Sequence, residues 1–224
     1  MKKSLLLLIP LILGLGACTN PKTPDTPDTP DTPDWGETAT YTVTFKGDKS
    51  RSGLGTGSQL GTNAFDTALK ALVNEQTNNS LVSIGGQKCA TQLVGGDSST
   101  DTSLTIGTGS YDGLIYFTFN VDIVKIDVTV QNYYKPHHDY QANKDVTGVD
   151  TAAEVTICSY SSSGNGSVLE SKNINLATED EVNAPAEKQD SLEFKEKSNT
   201  IAFFNSAEKH RTYIHSLTIT YVVE

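Results

Sequence analysis

The stretch GLIYFTFNVDIVKIDVTVQN, Gly113–Asn132, alternates apolar and polar residues along its whole length. The apolar residues fall on odd positions at first and on even positions from Val124 onward. Successive side chains of a strand point to opposite faces of a sheet, so a strand cannot exchange its apolar face without a turn or bulge. The pattern therefore predicts two half-buried strands joined at Val121–Asp122–Ile123.

Similar alternation occurs on both sides of this stretch. In Ala39–Lys46, ATYTVTFK, apolar Tyr41, Val43 and Phe45 alternate with threonines, which predicts a strand with one polar face. Clusters of Asn, Gly and Ser separate most of the other apolar segments. Those segments predict strands at Gln87–Val94, Thr102–Ile106, Glu154–Tyr160, Ser167–Ile174, Ser191–Glu196, Thr200–Asn205 and Tyr213–Val223.

A single segment has helical periodicity. In NAFDTALKALVNEQ, Asn63–Gln76, four apolar residues share one helical face, and Thr62 or Asn63 is placed to cap the helix. Many short strands with one short helix predict a mainly β fold, an antiparallel β-sandwich of jelly-roll type spanning residues 37–224. The helix is expected to cover one end or edge of the sandwich.

The N-terminus has the features of an export signal. Lys2 and Lys3 precede the apolar run Ser4–Gly16, which is too short to span a membrane but fits the apolar region of a signal peptide, predicted here as residues 1–17. The run ends in LGAC, Leu15–Cys18, which resembles the lipobox of bacterial lipoprotein precursors. That resemblance implies attachment of diacylglycerol to the Cys18 thiol and cleavage before it. The alternative is an ordinary secretory signal with an incidental cysteine.

Residues 18–36 are predicted to be a linker that begins with the lipidated cysteine. Thr-Pro-Asp occurs four times from Thr23 to Asp34. Proline removes backbone donors and favours an extended polyproline-type chain of about 3.1 Å per residue. The sequence therefore predicts a stiff tether that holds the domain outside the cytoplasm, away from the cell membrane.

Charge and motifs exclude several function classes. The formal net charge is −10 and the chain has no Lys/Arg cluster, so nucleic acid is excluded as a partner. The glycine-rich segment GLGTGSQLG, Gly53–Gly61, lacks the P-loop Lys-Ser/Thr and the dinucleotide spacing. No motif indicates a cofactor, a metal or a catalytic residue, and no pair of carboxylates stands out among the many present. An enzyme is therefore disfavoured.

Three segments together resemble a jelly-roll module found in surface lipoproteins and exported proteins of Firmicutes and their relatives. They are the Gly113-led apolar strand, IVKIDVTVQNYY at Ile123–Tyr134, and RTYIHSLTITY at Arg211–Tyr221. The resemblance covers Thr40 to Val222. It implies a galactose-binding-like or carbohydrate-binding fold, although fold alone does not establish a function.

The loop after the second of these strands, QNYYKPHHDYQANKD, is the predicted ligand-binding segment. Tyr133, Tyr134, His137, His138 and Tyr140 lie within eight positions. Aromatic faces combined with hydrogen-bonding groups suit a sugar ring or a protein surface. The alternative is that a tyrosine packs at the strand end and the histidines are solvated. A metal at His137, His138 and Asp139 is not predicted, because adjacent histidines in an extended chain point in opposite directions.

Cys89 and Cys158 remain in the domain, and export permits a disulfide between them. The alternative is that both are small buried hydrophobic side chains. Two functions stay open. The first is a membrane-anchored, non-catalytic module that binds or adheres to glycans or a surface protein, and the second is an extracellular hydrolase of polymers, similar to a glycosidase.

Overall fold

The computed structural model describes residues 33–48, 54, 59–95, 101–146, 148, 153–161, 167–177, 183–205 and 210–224. They belong to one compact unit, Pro33–Glu224. The predicted signal peptide, Cys18 and most of the Thr-Pro-Asp tether lie outside the described residues. Within the described ranges, no helix is long and apolar enough to cross a membrane.

The described elements are strands apart from one helix. In chain order they are β1 (Thr38–Thr44), β2 (Gly47–Asp48), α1 (Asn63–Gln76), β3 (Leu81–Gln87), β4 (Cys89–Leu93), β5 (Asp101–Ile106), β6 (Leu114–Asn132), β7 (His137–Asp139), β8 (Lys144–Val146), β9 (Glu154–Tyr160), β10 (Val168–Asn175), β11 (Lys188–Phe204) and β12 (Thr212–Val222). All described strand pairs are antiparallel.

Strand β6 holds the sheet together because its two halves pair with different neighbours. Its first half lies between β3 and the end of β11, and its second half lies between the start of β11 and β12. Strands β9 and β10 extend the first half, whereas β1, β5, β4 and β2 extend the second. Only the β7–β8 hairpin is a separate sheet among the described strands.

The prediction of two strands joined at Val121–Asp122–Ile123 is wrong, since β6 is one continuous strand. The apolar face changes through a bulge, where the adjacent residues Ile123 and Val124 are both buried and the register with β11 shifts between Glu193 and Ser198. Strand β11 is likewise one strand where two were predicted. A bulge allows both strands to bend and change faces without leaving the sheet.

The two halves of the sheet share one core. The Phe117 ring of the first half lies 5.9 Å from Phe45, which follows β1, and 6.4 Å from Phe203. Helix α1 packs beside β1 and β3 through buried Phe65, Leu69 and Val73. The predicted fold class, a mainly β antiparallel sandwich with one helix, is confirmed.

Candidate ligand-binding cleft

A cleft of about 590 Å³ opens where the β3–β4 turn, the β5–β6 connection and the start of β12 meet. We call it the Tyr111 cleft. Its polar lining includes Gln59, Gln87, Lys88, Gln92 and Arg211, with the Tyr111 ring beside them and with glycines forming part of the wall. Its volume lies in the range typical of small-molecule sites.

A hydrogen-bonded turn holds Tyr111 in place. The Thr108 amide donates to the Tyr111 carbonyl at 2.9 Å, and the Thr108 hydroxyl accepts from the amides of Ser110 and Tyr111 at 3.2 and 3.0 Å. Threonine forms such local side-chain to backbone bonds readily, which stabilises turns. The Tyr111 side chain is nevertheless 61% exposed. The turn therefore presents an aromatic ring to solvent instead of burying it.

Glycine is required where this turn meets the sheet. Gly107 has a φ of +82°, and a Cβ there would lie 2.2 Å from the His210 carbonyl oxygen. Its amide donates to the Lys88 carbonyl at 2.8 Å. Positive φ and the close approach of another backbone both favour glycine. Gly107 thus fixes the connection against the β3–β4 turn and the start of β12.

Two cations line the cleft, and each lies over an aromatic ring. The Lys88 Nζ is 4.8 Å from the centre of the Tyr111 ring, and the Arg211 guanidinium is 4.6 Å from the centre of the Tyr133 ring. Lys88 has a φ of +52°, which is uncommon for a residue with a side chain. These cation–π contacts place positive charge at the cleft without neutralising it.

The structure divides the predicted loop into packed and exposed parts. Tyr133 and Tyr134 are half-buried against Tyr213, with ring centres 5.2 and 6.4 Å from it. Tyr213 is fully buried and donates a hydrogen bond to the Leu93 carbonyl at 2.7 Å. Tyr133 reaches the Tyr111 cleft only through Arg211, whose guanidinium covers its ring.

The rest of the predicted loop forms the β7–β8 hairpin. His137 and His138 pair through their backbones with Val146 and Asp145, and their side chains lie outside the described part of the chain. Tyr140 follows β7 and is 88% exposed. Among the three predicted residues whose side chains are described, Tyr133 and Tyr134 pack on Tyr213 whereas Tyr140 is exposed on the hairpin, and the role of all five residues in binding stays a prediction.

Sequence reasoning missed Tyr111 because it stands alone among turn-forming residues, in GTGSYDG. The signal was present: an aromatic residue between turn-forming residues has no place in the alternation of either neighbouring strand. A site predicted from clustered aromatic residues does not include a single isolated ring.

The two domain cysteines are free thiols, so the possible disulfide is not formed. Cys89 is buried beneath the cleft, with its thiol 3.1 Å from the Leu114 carbonyl oxygen, and burial raises the pKa of its thiol. Burial raises the pKa of Cys158 to about 11. Both side chains behave as small buried groups, and neither is activated as a thiolate.

The buried pair Ser103 and His215 does not support the hydrolase interpretation. His215 Nδ1 lies 3.0 Å from Ser103 Oγ, whereas His215 Nε2 lies 2.8 Å from Gln131 Oε1 and only 3.8 Å from Glu187 Oε1. Ser103 is fully buried, and its hydroxyl is also 2.6 Å from the Ile214 carbonyl oxygen. A nucleophile must reach the substrate, and Ser103 is enclosed within the sandwich.

A second groove, of about 570 Å³, contains two carboxylates, Asp127 and Asp190. Asp127 is 2.9 Å from Lys125, and Asp190 forms an ion pair with Lys172. Partial burial acts to raise the pKa of Asp190, but the hydrogen bonds from Lys172 and the Ser191 amide outweigh it and hold the pKa below its usual value. A glycosidase general acid needs a raised pKa, so this groove does not support a hydrolase either.

Among the described residues, no group of three or more His, Cys, Asp or Glu side chains could hold a metal ion. No protein-family model matches the chain, and no curated protein matches it.

Several solved structures align with the chain at low similarity. A mutant of the family 29 carbohydrate-binding module CBM29-2 is 14% identical over 82% of this chain and 92% of that chain, with a TM-score of 0.40. The CBM22-1 xylan-binding domain of Paenibacillus barcinonensis Xyn10C is 14% identical over 63% and 86%, with a TM-score of 0.38. A family two carbohydrate esterase from Cellvibrio japonicus is 10% identical over 83% and 34%, with a TM-score of 0.37. At these scores the alignments decide nothing about ligand or activity, and function must be inferred from this chain's own residues.

Proposed function

We propose that the chain is a lipoprotein located outside the cytoplasm, held at the bacterial cell membrane by lipidated Cys18, and that its β-sandwich binds glycans without catalysis. The observation that carries the binding proposal is the Tyr111 ring, 61% exposed beside a cleft of about 590 Å³. A ring held in solvent by a rigid turn adds little to the core, so its apolar surface is available to a ligand.

The lining of the Tyr111 cleft suits a saccharide better than an apolar ligand. A pyranose has apolar C–H faces and a polar edge of hydroxyl groups. Tyr111 supplies a flat apolar surface, while the amides of Gln59, Gln87 and Gln92 supply donors and acceptors together. Neighbouring hydroxyls of a sugar are donors and acceptors too, so a side-chain amide can satisfy both roles. Preorganisation of the turn lowers the cost of ordering the ring on binding.

The proposed anchor rests on the sequence of the N-terminus. The proposal is supported by the order of an apolar export signal, LGAC at Leu15–Cys18 and a Thr-Pro-Asp tether, which is the order expected of a binding domain anchored outside the membrane. A single acyl chain gives only marginal attachment, whereas the two chains of a diacylglycerol anchor a protein firmly. The tether would let the domain reach extracellular polymers while it remains attached.

A glycan array tests the binding proposal directly. The lipidated chain would be applied in a polyoxyethylene detergent, which carries no sugar headgroup. We expect binding to a restricted set of glycans with no release of reducing ends. An array with no bound glycan would overturn the proposal, and release of reducing ends from a bound polymer would favour the hydrolase.

Cys18→Ser tests the anchor. Loss of the thiol removes the lipid acceptor, so we expect no incorporation of a fatty acid analogue and an uncleaved or released protein. Metabolic labelling of cells that express each form measures this, with Cys89→Ser as a control that keeps Cys18. Equal labelling of the Cys18→Ser chain would rule out lipidation at this residue.

A further inference from the structure

The Tyr111 cleft carries unpaired positive charge in an acidic chain. Lys88 and Arg211 line it, and no Asp or Glu side chain is among its described lining residues. Neither cation forms an ion pair with a described carboxylate; each instead lies over an aromatic ring. By contrast, Lys46, Lys125 and Lys172 are each paired with a carboxylate. The cleft therefore differs in charge from much of the surface of a chain with a net charge of −10.

The position of Lys88 gives an anionic ligand an advantage over a neutral one. Its ammonium lies over the Tyr111 ring, so a sugar that stacks on that face must displace it. A neutral sugar gives the displaced ammonium no equivalent partner. A carboxylate on the ligand gives the ammonium a better partner, because a charge-assisted hydrogen bond is stronger than an exposed cation–π contact. The same exchange frees the ring for stacking.

Arg211 adds a second contact for the same group. Its guanidinium lies over the half-buried ring of Tyr133, 4.6 Å from the ring centre, and one of its nitrogens would lie 3.2 Å from a Cβ at Gly109 in the wall of the cleft. A guanidinium offers paired donors that match the two oxygens of a carboxylate. The net negative charge of the chain opposes the approach of an anion, but repulsion from exposed charges is screened beyond about 8–10 Å in physiological salt. The two local cations therefore dominate at contact distance.

We propose that the ligand of the Tyr111 cleft is an anionic glycan, in which a pyranose with a carboxylate substituent stacks on Tyr111 while the carboxylate binds Lys88 and Arg211. This rests on the proposed glycan-binding function and deepens it. Hexuronate polymers have this chemistry. Lys88 is the residue that selects for charge, because it competes with neutral sugars for the Tyr111 ring and forms an ion pair with the carboxylate of acidic sugars.

The test compares polygalacturonate with its fully methyl-esterified form, which keeps the sugar ring and removes the charge. Titration calorimetry on the lipidated chain in detergent should show about tenfold tighter binding of the acid, the ratio that corresponds to one charge-assisted contact. Lys88→Gln should weaken binding of the acid about tenfold and leave binding of the ester unchanged or stronger. Weakening of the acid without weakening of the ester cannot come from a general loss of structure.

Two further variants act as controls. Lys195→Gln removes a cation whose side chain is 80% exposed and is not part of the cleft lining, and it should leave both polymers unaffected. Arg211→Lys keeps the charge but loses the planar fork, and it should weaken the acid more than the ester. Equal binding of acid and ester by the unmodified chain, or equal weakening of both by Lys88→Gln, would overturn the inference.

Two other outcomes separate the inference from the proposed function. If the glycan array yields only neutral ligands, anion selection is wrong while glycan binding stands; if it yields none, both fail. Dextran sulfate against dextran distinguishes a sulfate ester from a carboxylate as the source of charge. Binding of dextran sulfate that is as tight as that of polygalacturonate and indifferent to Tyr111→Ala would mean unspecific attraction, and would also overturn the inference.

Discussion

The turn that holds Tyr111 and the loop that holds Tyr133 and Tyr134 place aromatic residues in opposite ways. The turn has one ring, which is exposed to solvent, and its backbone is fixed by hydrogen bonds from the amides of Ser110 and Tyr111 to the Thr108 hydroxyl. The loop has several, and two of them are half-buried against Tyr213 from β12. Whether a ring is exposed depends on whether a strand distant in sequence packs a side chain against it. A cluster of aromatic residues in a sequence therefore indicates packing as readily as binding.

Tyr213→Ala is the variant that should change the packed loop most. This side chain is fully buried, contacts both loop tyrosines and donates a hydrogen bond to the Leu93 carbonyl. Its truncation should lower the free energy of unfolding by about 3–5 kcal/mol, as is typical of buried aromatic residues. Chemical denaturation measures the change. Tyr213→Phe is the matched control; it loses only the hydroxyl bond and should cost about 1 kcal/mol. If Tyr213→Ala is as stable as Tyr213→Phe, the loop does not depend on this packing.

Acidification should weaken the same packed region through His215. The His215 ring stacks on Tyr213 with centres 5.9 Å apart and is buried, and this burial lowers its pKa to about 4 even though the charge of Glu187 acts in the opposite direction. The unfolded chain, with a histidine pKa near 6.5, binds the proton first. The contribution of neutral His215 to the free energy of unfolding is therefore complete above about pH 6.5. It is lost progressively as the pH falls toward 4, by up to about 3 kcal/mol.

Denaturation at a series of pH values measures this loss, with His215→Gln as the control that removes the titrating group. Lys46, Glu187 and Asp101 also act on the ring electrostatically, so the difference between the two proteins isolates its share. A stability that falls as the pH rises through 6.5 would mean a charged imidazolium paired with Glu187, contrary to the burial argument.

Much of the fold could be predicted from periodicity alone. Alternation in Gly113–Asn132 correctly indicated a half-buried strand, and the face of Phe65, Leu69 and Val73 correctly indicated α1. Strand β3 was missed over most of its length because LVSIGGQ does not alternate cleanly and contains two glycines. Gly86 is needed there, since its φ is +139° and a Cβ would lie 2.0 Å from the Leu114 carbonyl oxygen of the partner strand. Such a contact depends on the partner strand, which local sequence does not specify.

The cleft could not be predicted for the same reason. Gln59, Lys88, Tyr111 and Arg211 come from four separate parts of the chain and meet only through strand pairing. Apart from Tyr111, an aromatic residue among turn-forming residues, none of them stands out in its own segment. The predicted loop contributes Tyr133, whose ring lies beneath Arg211, so one residue of the sequence hypothesis supports the lining of the cleft.

Tyr111→Ala tests the exposed ring of the turn, the other member of the comparison. Since the ring is exposed and its turn is held by Thr108, removal should change the free energy of unfolding by less than about 0.5 kcal/mol. Binding of any glycan identified on the array should weaken by 1 kcal/mol or more, about fivefold or greater. Calorimetry and denaturation on the same preparation measure both quantities. Large destabilisation with unchanged binding would show that this ring is structural.

The smallest effect on stability is expected at Tyr140. This side chain is 88% exposed, and the bend after β7 is formed by Asp139, whose carboxylate accepts from the amides of Gln141 and Ala142 at 2.9 and 3.1 Å. Tyr140→Ala should therefore alter the free energy of unfolding by less than about 0.5 kcal/mol. Exposure alone does not distinguish a ring that binds ligand from one that does not, so the affinity of each variant for glycan must be measured. With the ligand in the Tyr111 cleft, Tyr140→Ala should weaken glycan binding less than Tyr111→Ala does. If Tyr140→Ala instead abolishes binding and Tyr111→Ala does not, the loop predicted from the sequence is the site, and the turn merely exposes a tyrosine.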